Sequence, residues 1–150
     1  MPNRKAHRNV GAASGALIAG YRARAQRPPE LLLETAGGAL GGLLGGSLPD
    51  VLEPVISSWH RDIAHSWAAG AGIIRATSGL QQWESYCRER AGHYSRLRAV
   101  AQDPLFRALH FLAEIFWRLA AGFASGLGAG YASHLLLDAL TPRGIPLMVR

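Results

Sequence analysis

The sequence predicts an all-α protein, an antiparallel helical bundle embedded in a membrane, and three observations predict it. Nowhere do apolar and polar residues alternate over six positions, as a half-buried strand would require. Three stretches, residues 9–21, 35–49 and 119–137, contain no Asp, Glu, Lys or Arg. The chain has eighteen glycines, and those within these stretches recur in several series at intervals of four residues.

Taken in order, the first helix begins near His7 and covers the first charge-free stretch. RARAQRPP, residues 22–29, is the turn that follows, because Pro-Pro cannot continue a helix. The second helix takes in Leu31, Leu32 and Leu33, tolerates Glu34 near its start, and ends at Leu48-Pro49-Asp50. A further apolar helix is expected from about Ile63 to Ile74. Residues 81–102 are of another kind: Trp83, Tyr86, Tyr94, Leu97 and Val100 stand among Arg and Glu, the pattern of an amphipathic helix lying on a membrane surface or on the other helices. Asp103 is placed as an N-cap with Pro104 at the first helical position, which opens the last segment.

The 150 residues suit a single domain, 1–150, with one core. Apolar residues make up 49% and charged ones 17%, below the roughly 25% usual in soluble domains. Mean hydropathy is +0.06, high for a soluble enzyme. The net charge of +6 favours anionic lipid headgroups or nucleic acid, although solvated basic faces account for it equally well. Cys87 is the single cysteine, which excludes a disulfide framework and a thiolate metal cluster. Any metal must be held by His and carboxylate. Arg22, Arg24 and Arg27 lie at one end of the bundle and Arg4, Lys5 and Arg8 at the other, so the basic residues do not fix an orientation.

The glycine spacing carries the argument from fold to chemistry. Gly37, Gly41 and Gly45 fall four apart, as do Gly38, Gly42 and Gly46, and Gly122, Gly126 and Gly130. Small residues at this interval let helix backbones touch, which is how helices associate where lipid removes the usual hydrophobic drive. Continued by four, the series reach Asp50 in one direction of the chain and His134 and Asp138 in another; backwards from Gly15 and Gly11 stands His7. His60 and His65 open the third segment. In a bundle these groups collect at one end, the last helix joining them after an even number of crossings.

Ionisable groups inside an apolar bundle are costly unless paired or ligating. His134 and Asp138, at i and i+4, project side by side and suit two ligands to one divalent ion. Three readings stand at this point: a metal site, a buried polar network without metal, and scattered surface groups. His110 and Glu114 repeat the i, i+4 spacing without the convergence.

Three blocks carry a family resemblance: Leu48-Pro49-Asp50; His60-Arg61-x-x-x-His65-Ser66; and Gly130-Tyr131-x-Ser133-His134-x-x-x-Asp138-x-Leu140-Thr141-Pro142-x-Gly144-x-Pro146-Leu147. Together they resemble the YdjM-like family of membrane-bound metal-dependent hydrolases, which is similar at a distance to zinc-dependent phospholipase C and the single-strand nucleases grouped with it. The resemblance implies a bacterial-type inner-membrane location with several crossings, a divalent metal, most plausibly zinc, and hydrolysis of a phosphoester. It implies His7, Asp50, His65, His134 and Asp138 as ligands, with His60 at a further motif position. The family usually reads Pro-Asp-x-Asp, whereas here Leu52 stands at the second acidic position and Glu53 follows it. Asp50, or Glu53 if it reaches, would serve as the base, and Arg61 and Arg143 would flank the mouth and clamp a phosphate. Membrane lipid is the expected partner, with phospholipid or nucleic acid as anionic substrate and spare glycine seams free for a second copy or another protein. The alternative is a non-catalytic membrane scaffold whose polar cluster only fixes helix packing.

Overall fold

The computed structural model describes residues 4–52 and 67–140. Five helices account for nearly all of them: α1 Arg4–Arg22, α2 Pro28–Gly45, α3 Leu48–Leu52, α4 Trp67–Val100 and α5 Pro104–Ala139. No strand occurs among the described residues, in keeping with the all-α expectation.

The helix ends follow from local chemistry. Pro28 and Pro29 occupy the first turn of α2, where no N–H is required, and Glu30 reaches back to the Arg27 backbone N–H at 3.4 Å. Asp103 caps α5 as expected, its carboxylate accepting from Leu105 N–H at 2.7 Å and from Phe106 N–H at 3.4 Å. Two boundaries differ from the expectation. The second helix stops at Gly45 rather than at Pro49, and Pro49 instead sits in the first turn of the short α3. The separately expected segments at 63–74 and 81–102 are one continuous helix from Trp67 onward; a lone Gly79 costs about 1 kcal/mol, too little to break 34 residues of helix.

Three helices meet through bare backbone. A Cβ built on Gly15 would overlap the Gly38 carbonyl, one on Gly11 the Gly42 carbonyl, and one on Gly46 the His7 carbonyl, so α1 and α2 run antiparallel. On the other side of α2, Gly122 abuts Glu34, Gly126 abuts Gly38 and Gly130 abuts Gly42. Both numbers rise together, so α2 and α5 run parallel, and their ends share one level. Helix α4 returns antiparallel along α5, with Tyr86 edge-on to Trp117 at 5.5 Å and Tyr94 beside His110 at 6.0 Å.

The distribution of apolar residues is that of a protein facing lipid. The buried apolar set is dominated by alanine, with Ala19, Ala23, Ala91, Ala121 and Ala124, whereas Leu17, Leu32, Leu40, Leu105, Leu112 and Phe116 are all more than half exposed. Large side chains turned outward around a core of Gly and Ala reverse the order of a water-soluble domain. Among the described residues one stretch, Pro28–Leu52, is long and apolar enough to cross a membrane. Several crossings therefore have no further support there.

Candidate metal centre

The shared end of α1, α2 and α5 gathers His7, Asp50, His134 and Asp138. His7 enters from the first turns of α1, Asp50 from α3 just past the end of α2, and His134 and Asp138 from the last turns of α5. The contact of Gly46 with the His7 backbone is what brings the first of these helices close enough. His134 is fully buried, Asp138 is 2% exposed and His7 4%. Asp50 stands at the rim with a side chain 15% exposed.

His134 fixes the polarity of the cluster. Its Nδ1 lies 2.8 Å from the Gly46 carbonyl oxygen. A carbonyl only accepts, so Nδ1 carries the hydrogen, and Nε2 on the far side of the ring faces Asp138 Oδ2 at 3.5 Å and Asp50 Oδ1 at 3.8 Å. His7 Nε2 lies 3.5 Å from the other Asp138 oxygen. Its ring stacks on His134 at 3.8 Å with a 24° tilt, an arrangement that disfavours two imidazolium charges. Ligand atoms around a tetrahedral zinc stand about 3.3 Å apart, given bonds of ~2.0–2.1 Å. The ligand atoms of His7, His134 and Asp138 all lie within 4.8 Å of one another, so the donor set fits a divalent ion. The hydrogen bond from His134 to Gly46 supplies the outer support that a metal-bound imidazole ordinarily has.

The four residues brought together come from three separate helices. His60, His65, Glu53, Arg61 and Arg143 lie outside the described residues. Leu52 is 63% exposed. His110 and Glu114 do not join the cluster: Glu114 meets Arg98 at 3.3 Å and His110 lies beside Tyr94.

At the other end of α2 stands a second polar assembly that single-residue reading passes over. Glu34, with no exposure, receives Arg88 Nη2 at 2.7 Å on one oxygen and Arg118 Nη1 at 3.0 Å on the other. Arg118 also reaches Glu30 at 3.2 Å, Arg22 meets Glu84 at 2.8 Å, and Arg88 meets Glu84 at 2.7 Å. The one local signal was Glu84 four residues ahead of Arg88, the spacing of a helical ion pair. Cys87 lies inside this layer on α4. Burial, then the carboxylates of Glu34 and Glu84, push its thiol up to about 11. Fully buried and protonated at neutral pH, Cys87 is expected to resist maleimide at pH 7.5 in the folded protein and to label fully in denaturant. Rapid labelling of the native chain would show that α4 does not pack as described.

A family model described as YdjM inner membrane protein matches residues 1–149. No curated protein and no solved structure matches the chain.

Proposed function

The chain thus belongs to the YdjM inner membrane protein family, and from that premise we propose that it is a membrane-associated metal-dependent hydrolase of phosphoesters, its zinc held by His7, His134 and Asp138. The observation that carries this reading is the convergence of His7, His134 and Asp138 from two helices, with their ligand atoms within 4.8 Å of one another. When bound, zinc lowers the pKa of an adjacent water towards ~7 and polarises a phosphoryl oxygen. The chain supplies the rest. Asp138 reaches both histidines and, with the ion bound, would neutralise part of its charge. The glycine seam beneath the cluster excludes water from below, so solvent and substrate enter from the rim. Asp50 stands at that rim and accepts the proton of the attacking water.

A second reading, a non-catalytic scaffold with a structural ion, is favoured by one observation: Leu52 occupies the place where the resemblance implies a second aspartate. Two variants separate the readings. His134→Ala is expected to remove most bound metal, measured by elemental analysis, while far-ultraviolet circular dichroism stays near that of the parent. Asp50→Asn is expected to keep most of the metal and lower hydrolysis of a phosphodiester or phospholipid by about 10²–10⁴-fold. Stoichiometric metal with no turnover in the parent chain selects the scaffold, and unchanged metal in His134→Ala removes the site altogether.

A further inference from the structure

A pocket of about 210 Å³ opens beside the histidine and aspartate cluster, lined by Arg4 and Arg8 of α1, Leu43 and Ser47 at the end of α2, and Asp50 and Val51 of α3. Asp50 belongs to both, being a wall of the pocket and 3.8 Å from His134 Nε2, so the pocket adjoins the cluster. Arg4 and Arg8 are one helical turn apart and project from the same side of α1. Both are exposed. Arginines at the opposite end of the bundle, Arg22, Arg27, Arg88, Arg98 and Arg118, each hold a carboxylate. The Arg4 and Arg8 guanidiniums hold none among the described residues, and Asp50 is the single acid among the described residues that line the pocket. Ser47 gives its hydroxyl hydrogen to the Leu43 carbonyl at 2.9 Å, so among the described lining residues the two guanidiniums are the side-chain donors left for a ligand.

We propose that this pocket binds a phosphoryl group, with Arg4 and Arg8 donating to its non-bridging oxygens and the remainder of the molecule leaving past Leu43 and Val51. The planar, permanently charged fork of arginine matches tetrahedral oxyanions, and two forks one turn apart grip one anion from two sides. The volume admits a phosphate and a short substituent, not a whole phospholipid. The chemistry recognised is therefore the phosphate itself, whether free, on a soluble ester or on a lipid headgroup. That the anion is substrate rests on the hydrolase reading above; that it binds does not.

The test uses the full chain purified in detergent, titrated calorimetrically with inorganic phosphate, once with chelator and once with zinc, alongside elemental analysis and flotation with phosphatidylcholine vesicles containing phosphatidylglycerol. The expected result is a loss of at least tenfold in phosphate affinity in Arg4→Gln/Arg8→Gln in both titrations, with bound metal unchanged. Arg4→Lys/Arg8→Lys is expected to recover only part of it, because an ammonium cannot form the paired contact. A lipid source adds a parallel fall in flotation; a soluble source leaves flotation as in the parent. Unchanged phosphate affinity in the glutamine variant overturns the proposal, and if flotation falls in that case the two arginines are anchors to the lipid surface. A parent chain that binds phosphate in both titrations but takes up no stoichiometric zinc upholds the pocket while the metal reading fails, so the two outcomes stay distinct.

Discussion

Replacing Gly42 by leucine is expected to prevent α1, α2 and α5 from assembling. Gly42 lies at the crossing of all three: a Cβ there would overlap the Gly11 carbonyl and stand 2.9 Å from Gly15 Cα, while Gly130 of α5 presses on the same turn from the other side, its own Cβ falling 2.7 Å from Gly42 Cα. The obstacles are backbone atoms, which cannot swing aside as a side-chain tip can. Alanine is the milder case. It gains about 1 kcal/mol of helix propensity and loses a comparable or larger amount to overpacking, typically 1–3 kcal/mol. Leucine adds three more carbons and has no position that keeps either neighbour in place. Gly79 is the control, since its Cβ would meet nothing within 4 Å; Gly79→Ala is expected to raise stability by up to about 1 kcal/mol. Thermal unfolding of the detergent-solubilised chain, followed by circular dichroism, checks both. A Gly42→Leu variant that melts with the parent's cooperativity and midpoint would show that these backbones do not touch.

The same contacts explain what could be read from the sequence. Four-residue glycine spacing in Leu-rich stretches has one economical meaning, close helix crossing, and its continuation to His7, Asp50, His134 and Asp138 predicted the end at which those groups meet. The Asp103-Pro104 cap was equally plain, because cap chemistry is local. What escaped were features set by more than one element. The end of the second helix moved from Pro49 to Gly45 because Pro49 is as well suited to start a helix as to stop one. The Gly46 carbonyl that orients His134 left no trace, since a backbone acceptor has no residue signature. The amphipathic pattern of residues 81–102 suits a membrane surface or the other helices alike, and it does not show that Glu84 is 2% exposed and Trp83 49%. Pattern along one helix cannot reveal that Arg22 and Arg88 wait on either side of that carboxylate.

That ionic layer carries the second large effect. Glu34→Ala is expected to destabilise the protein by about 3–5 kcal/mol, the usual cost of removing one partner from a buried pair and leaving the others uncompensated. Arg88 and Arg118 approach Glu34 from α4 and α5, so the loss also unties two helices from α2. Arg88 retains Glu84 and Arg118 retains Glu30, which places the expectation towards the lower end of that range. Burial of Glu34 is itself costly, and its stabilising value depends wholly on the two guanidiniums. The prediction is therefore sharper in a double-mutant cycle than in any single variant. If Glu34 and Arg118 act through each other, Glu34→Ala/Arg118→Ala loses less than the sum of the single losses, by about 1 kcal/mol or more. Replacing the pair by Glu34→Leu/Arg118→Met, apolar residues of similar bulk, is expected to recover more still, because it removes both desolvation costs at once. Unfolding midpoints in denaturant measure all four. Strict additivity of the alanine variants would mean that the two charges are held by their surroundings separately, and that the layer is a set of neighbours rather than a network.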